Sequence, residues 1–415
     1  MTGRASRWIV SILLRRMSIG TLVIVEDGER HTYGSGSPVA TVRLHAPRVW
    51  LMLLRGSRGL AEAFARGLWD SPDLVALIRL AARNASGLDR LRARLAPVRW
   101  PLQRAGALLR PATRRRARRD IAAHYDLGNE LFARMLDPTM SYSCAVFERH
   151  GMTLEQAQVA KLERICEKLH LGPHDRVIEI GSGWGAFALH AARTRGCHVT
   201  TTTISREQHK HVLERVRHAG LESRVTVLMD DYRELHGRFD KLVSIEMIEA
   251  VGWRQFGAFF TKCSQLLAAD GAMLLQAITI DDRAYDVEKA ANSFMNTYIF
   301  PGGCLPSLAV ISRELASWTD MQVADLEDLT PHYVETLRRW RANFTAHAAA
   351  LTELGYDERF RRIWTLYLAY CEAGFAERRI CDVQLLATKP RSRLTSDNRP
   401  GSRSRTGPHY LAASA

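Results

Sequence analysis

Residues 177–185 read Val-Ile-Glu-Ile-Gly-Ser-Gly-Trp-Gly, and this stretch constrains the fold more than any other. An apolar strand runs into a turn with glycine at 181, 183 and 185, and helical periodicity resumes at Ala186. Glycine lacks a Cβ and tolerates positive φ, so three glycines at this spacing let the backbone come close to a nucleotide. A dinucleotide fingerprint would place its third glycine one residue later and an acid about 20 residues on. Here the second strand ends Thr202-Thr203-Ile204-Ser205, with no carboxylate. The early third glycine fits a methyltransferase-type site better, and Thr203 and Gln208 would then take part in nucleoside binding. As plain structure, the same pair is a capping threonine and a solvated helical glutamine.

The turn lies in an alternation of elements. Strands are predicted at 176–180, 198–204, 225–229, 241–245 and 272–278, and helices at 186–194, 207–219 and 256–268. This rhythm predicts an α/β fold, a doubly wound parallel sheet that binds ligands at the carboxyl ends of its strands. From 285 to 375 it gives way to aromatic-rich helical segments, read as an insertion that builds a substrate pocket, before a last strand at 382–388. Ahead of the sheet, a helix near 8–16, strands at 21–25, 31–33 and 40–45 and helical periodicity over 60–83 make a smaller α+β unit. The expected division is a basic N-terminal domain over 1–95, an Arg/Pro-rich linker over 96–120, a catalytic domain over 121–388 and a basic, disordered tail over 389–415.

Charge follows that division. Residues 1–120 carry 23 Arg, no Lys and a balance of +15, the tail carries +5, and residues 121–388 carry −6, within a total of +14. Basic flanks around an acidic centre attract an anionic surface, nucleic acid or membrane, although arginine-rich codon bias accounts for part of the excess. The apolar run 8–25 is broken by Arg15 and Arg16, too short to cross a bilayer, and lacks the layout of a signal peptide. The seven cysteines, at 144, 166, 197, 263, 304, 371 and 381, show no CxxC spacing. Neither a metal site nor a disulfide framework is indicated, and a reducing cytoplasm fits best.

Further segments carry a resemblance. They are His124-Tyr125-Asp126-Leu127-Gly128-Asn129-Glu130-Leu131-Phe132, Leu136 to Phe147, Asp231-Tyr232-Arg233, Ser244-Ile245-Glu246-Met247-Ile248-Glu249-Ala250-Val251-Gly252 and Tyr298 to Ser307. In this order, over about 120–388, the chain resembles the cyclopropane-fatty-acyl-phospholipid synthases, which are S-adenosylmethionine-dependent and similar to the mycolic acid cyclopropane synthases. A weaker likeness at Gly59 to Phe64 and Gly67 to Ser71 extends to the lipid-side domain of full-length bacterial members.

The resemblance implies a Rossmann-like class I methyltransferase fold and a reaction on the double bond of unsaturated acyl chains in phospholipids. S-adenosylmethionine would be bound by Tyr142, Ser143, Gly181, Gly183, Trp184, Gly185, Thr203, Gln208, Tyr232 and Arg233. A bicarbonate ion would serve as base, held by Cys144, Glu249 and Tyr333 with the backbone at Ile278. Cys371 matches a cysteine once regarded as catalytic in the family; packing explains it as well. The family's bicarbonate-binding histidine falls on Gln276, which can donate a hydrogen bond but does not titrate near neutrality.

The chemistry needs alignment and dryness more than activation, because a sulfonium methyl is a strong electrophile and an alkene a weak nucleophile. Attack leaves a carbocation, which aromatic faces stabilise; Tyr298, Phe300, Trp340, Phe344, Tyr367, Tyr370 and Phe375 are available, two or three of them facing the pocket. Loss of a proton from the added methyl closes a cyclopropane, and Gln276 opens the alternative of a methylene- or methyl-branched chain. The expected partner is a phospholipid bilayer at the inner face of the cytoplasmic membrane, approached peripherally, and a homodimer stays open. Two competing readings are a methyltransferase on a small molecule or nucleic acid and a non-catalytic lipid-binding relative. No nucleic-acid motif accompanies the arginines, and Tyr142, Cys144, Glu249 and Tyr333 occur together, which argues for the lipid enzyme.

Overall fold

The computed structural model describes residues 3–84 and 128–394 apart from Ala290 and Asn292. The 96–120 linker, the Arg114–Arg119 run and the tail beyond 394 lie outside the described residues.

Seven strands form the main sheet: β5 (Arg176–Ile180), β6 (His198–Thr202), β7 (Val225–Leu228), β8 (Phe239–Ile245), β9 (Leu267–Ile280), β10 (Gln322–Asp328) and β11 (Ile380–Thr388). Their order is β10-β11-β9-β8-β5-β6-β7. β9, β8, β5, β6 and β7 are parallel, and β11 runs antiparallel to both β9 and β10. The sheet is Rossmann-like, of the class I methyltransferase type.

Alternation along each strand feeds two cores. Ile178, Leu242 and Leu275 join Phe256, Phe259 and Phe260 on one face, while Val177, Val243 and Leu274 join Phe187, Ala188 and Val212 on the other. Covered on both sides, the central strands read as continuous apolar runs. β10 departs from the expectation of an all-helical insertion. It is an edge strand with exposed Val323 and Leu326, four acidic or amide residues and a register shift at Val323/Asp325, so its pattern lacks the apolar run of a central strand.

A four-stranded sheet, β2-β1-β3-β4, occupies the N-terminal part, with β1 at Gly20–Glu26, β2 at Glu29–Ser35, β3 at Val39–Leu44 and β4 at Trp69–Asp70. It docks on the insertion. Arg362, on the helix Glu358–Ala376, donates to the carbonyls of Phe64 (2.5 Å) and Trp69 (2.9 Å), and Arg79 and Arg83 pair with Glu377. One apolar cluster runs from Trp50, Phe64 and Trp69 through Phe132 to Trp340 and Trp364, so the N-terminal unit buttresses the helices over the sheet. Among the described residues no helix is long and apolar enough to cross a membrane.

Candidate functional site

The glycine turn follows β5 directly. Gly181, Gly183 and Gly185 have φ of 97°, 49° and 86°, which L side chains rarely adopt. Their surroundings differ. A Cβ on Gly181 would lie 3.0 Å from Met247 and one on Gly185 3.0 Å from Val212, whereas one on Gly183 meets nothing within 4 Å. Gly183 thus presents bare backbone to open space at the sheet's ligand edge, and its two neighbours serve packing.

At the end of β6, Thr203 donates to Gln208 Oε1 (2.8 Å) and Ser205 caps the helix Arg206–His218. Both Thr203 and Gln208 are buried, so Gln208 is not a solvated helical residue. After β7, Asp231 is 2 % exposed and grips Arg233 through both carboxylate oxygens (2.8 and 2.6 Å), fixing the loop that carries Tyr232 against Phe259. Glu179, inside β5, accepts from Thr201 on β6 (2.6 Å), and burial pushes its carboxyl up to about 8.

The segment 141–144 is pinned from behind. Thr153 and Gln156 form a reciprocal cap on the helix Leu154–Lys168, which points Gln158 and Lys161 inward from one face. Gln158 donates to the Ser143 carbonyl (2.8 Å) and Lys161 to the Ser143 hydroxyl (2.7 Å). Lys161 is 1 % exposed; burial lowers its pKa, opposed by Glu246 and Asp137. Tyr142 shares a hydroxyl hydrogen bond with Tyr367 (2.7 Å) and packs on Phe132 and Trp340. Trp184 turns into the core: 1 % exposed, its N–H donates to Asn129 and its ring lies 4.7 Å from Phe132. Its expected cofactor contact therefore reduces to backbone.

The residues expected to bind the base come together, around a side chain that was not singled out. Glu246 Oε1 accepts from the Cys144 backbone N–H (2.8 Å) and Gln276 Nε2 (2.9 Å), and Oε2 accepts from the Tyr333 hydroxyl (2.6 Å). Glu249 Oε1 accepts from the Ile278 N–H (2.5 Å), while its Oε2 is buried without a hydrogen-bond partner. Gln276 is fully buried and also donates to Asp382 (3.1 Å), and its own Oε1 accepts from Gln384 (3.1 Å). Every donor that the resemblance assigns to bicarbonate is engaged by a carboxylate of the chain. With those donors already satisfied by carboxylate oxygens of Glu246 and Glu249, these residues do not fit a bound bicarbonate.

Burial dominates the titration here. It raises the Glu249 carboxyl to about 8, with Glu246 adding to the rise, and it raises Asp382 well above the carboxylate range. It raises Glu246 as well, against the hydrogen bonds from Tyr333 and Cys144 and the charge of Lys161. The Cys144 thiol is pushed well up by burial and faces the carbonyls of Ala145 and Leu329 and the carboxyl of Asp382. Cys371, on the helix Glu358–Ala376, packs against the apolar cluster and burial holds its thiol at about 12, so neither cysteine is poised as a nucleophile. Aromatic rings surround the carboxylates: Tyr333 stacks on Phe375 at 4.3 Å and lies edge-on to Trp340, and Tyr367 lies edge-on to Phe300. Tyr370 is 38 % exposed and Phe344 packs on Trp364, outside that group.

Sequence reasoning missed Glu246, Asp382, Gln384 and Lys161. The signal for Glu246 was its place immediately after β8; for Asp382 and Gln384 it was two polar residues inside an otherwise apolar final strand.

Residues 112–385 match the family model described as mycolic acid cyclopropane synthetase. The tuberculostearic acid methyltransferase of Mycobacterium tuberculosis is 37% identical over 387 residues, covering 89% of this chain and 88% of that protein. The cyclopropane-fatty-acyl-phospholipid synthase of Escherichia coli is 37% identical over 353 residues, covering 85% and 87%. Among solved structures, the cyclopropane synthase MmaA2 from Mycobacterium tuberculosis aligns with a TM-score of 0.62 at 31% identity, over 66% of this chain and 98% of that one. A mycolic acid cyclopropane synthase complexed with SAH and CTAB aligns equally well at 32% identity, with the same coverage.

Proposed function

Because the chain belongs to the mycolic acid cyclopropane synthetase family, we propose that it transfers a one-carbon unit from S-adenosylmethionine to the double bond of an unsaturated phospholipid acyl chain. The observation that carries this reading is a juxtaposition. Met247, next to Glu246, packs on Gly181 of the glycine turn, so the cofactor edge and a dry cluster of carboxylates and aromatic rings adjoin. The bare backbone at Gly183 would admit the cofactor, with Thr203 and Gln208 toward the nucleoside and Tyr232 and Arg233 beside the adenine end. Bound S-adenosylmethionine supplies an electrophilic methyl; the chain's own residues orient the alkene, exclude water and receive a proton.

The main reading for the product is a cyclopropane. A methylene- or methyl-branched chain is the second, favoured by Gln276 where the family's base site has histidine, and by an identity to a methyltransferase, 37%, as high as that to a cyclopropane synthase and over a longer stretch. The bicarbonate ion expected from the family takes no part in this reading, since its donors face Glu246 and Glu249. The basic N-terminal part supports peripheral attachment to an anionic leaflet at the inner face of the cytoplasmic membrane.

Expression in a bacterium lacking this activity, followed by mass spectrometry of its fatty acids, is the test. Monounsaturated chains heavier by one CH2 are expected, and degradation locates ring or branch. Unaltered lipids, with the protein folded and binding S-adenosylmethionine, would refute the lipid reading.

A further inference from the structure

We infer that the carboxylate of Glu246 is the resident proton acceptor of this site and stands where an exogenous base ion would otherwise bind. The inference rests on the lipid reading above for the reaction, but its geometry stands by itself. Three donors from separate parts of the chain converge on this one carboxylate: the Cys144 N–H from the loop before the sheet, the Gln276 amide from β9 and the Tyr333 hydroxyl from the helix Thr330–Ala346. Donors arranged this way form an anion cradle, and the anion in it is covalently part of the protein.

The backbone supports the same assignment. Glu246 has φ of +48°, a left-handed conformation that glutamate rarely adopts and that costs on the order of 1 kcal/mol or more. Its own N–H is held by the Gln276 carbonyl at 2.8 Å, so the strained residue is fixed at both backbone and side chain. A residue serving only as a strand terminus would be served as well by glycine. Strain retained at a side chain in the middle of a polar cluster, one residue past the end of β8 and beside the glycine turn, marks a placed functional group.

The step balances with S-adenosylmethionine as its one co-reactant. The alkene π pair forms a bond to the sulfonium methyl carbon, the carbon–sulfur bond breaks, and its pair stays on sulfur as a neutral thioether. The neighbouring chain carbon becomes cationic. Glu246 takes a proton from the added methyl, and the released C–H pair closes the ring on the cationic carbon. In the branched alternative a hydride first shifts between the two chain carbons, and the same C–H pair becomes the second bond of a methylene. The proton leaves Glu246 to solvent after product release. Fixing the base within hydrogen bonds from Tyr333 and Gln276 removes the need to bind and desolvate a second anion before each turnover.

Two arms test this. In the first, 13C-labelled bicarbonate is titrated into wild-type protein and Glu246→Gly with S-adenosylhomocysteine present, and bound label is followed by NMR. Glycine relieves the backbone strain and vacates the cradle, so label is expected to bind the variant only; wild-type protein that binds it overturns the inference. In the second arm, lipid methylation is measured in carbonate-free buffer and after adding bicarbonate. Wild-type activity should not change, Glu246→Gly should lose about 100-fold or more, and bicarbonate should restore part of the loss. Wild-type activity that requires bicarbonate, or a fully active Glu246→Gln, would overturn it. Retained S-adenosylhomocysteine affinity reports that each variant is folded. If the wild type methylates no phospholipid, the functional reading fails, and the NMR arm still decides which anion these donors hold.

Discussion

Glu249→Gln should remove a pH dependence from the stability of the fold. In the folded chain burial and the neighbouring Glu246 raise the Glu249 carboxyl from its ordinary 4.5 to about 8. The cause is visible: one oxygen accepts from the Ile278 N–H, and the other is buried with no donor to stabilise its charge. Between those two values the folded state holds a proton that the unfolded chain has released, so stability falls as pH rises through this window. At about 1.4 kcal/mol per unit the ceiling of the effect is about 5 kcal/mol, and water near a half-buried residue reduces it to roughly 2–4 kcal/mol. Glutamine keeps the shape and can still accept from Ile278 through its carbonyl oxygen, but it does not titrate. Denaturant midpoints at pH 5 and pH 8 measure the difference, since groups that do not interact with Glu249 cancel between the two proteins. The variant should match the wild type within about 1 kcal/mol at pH 5 and exceed it by roughly 2–4 kcal/mol at pH 8. A wild-type minus variant difference that stays constant across this range would show that Glu249 ionises with an ordinary pKa, and the account of its burial would be wrong.

Gly183→Val should abolish S-adenosylmethionine binding measured by calorimetry, because its Cβ enters open space that the cofactor would need and its branched side chain strains a φ of 49°; circular dichroism checks that the variant is folded, and wild-type affinity would remove this turn from the site. Gln276→His should retain activity and shift any branched product toward cyclopropane. Histidine can still donate to Glu246 but gives up at least one of the contacts that Gln276 makes with Glu246, Asp382 and Gln384. An unchanged product ratio by mass spectrometry would show that position 276 does not govern the fate of the cation.

The central sheet was legible in the sequence because β5 and β8 carry short, largely buried apolar runs and the glycine turn and the helical periods between strands punctuate the alternation. β5 was bounded to the residue, since Arg176 is exposed and Gly181 ends the run abruptly. β10 was not legible. It is bounded by no glycine, half of it faces solvent, and its pairing with β11 joins residues more than fifty positions apart. The glycine turn could be read because glycine reports a backbone requirement directly. Side chains report their partners only once the fold is known: Trp184 faces Phe132 and Ser143 faces Lys161.

The base site shows the same limit at its sharpest. Gln276 stood out as a departure when compared with the family's histidine, and by itself it reads as the loss of a titratable group. Glu246 is three residues before Glu249 and drew no separate notice. Folding brings them within 2.9 Å, and the two features then explain one another. A carboxylate placed among these donors needs a neighbour that donates, and a glutamine amide does that. It also bridges to Asp382, whose carboxyl is raised by burial and by the neighbouring Glu246 and Glu249, so that ionising these acids together is disfavoured. The glutamine at 276 is therefore the counterpart of an acid at 246, and removing that acid alone, as in Glu246→Gly, releases its three donors for a free anion.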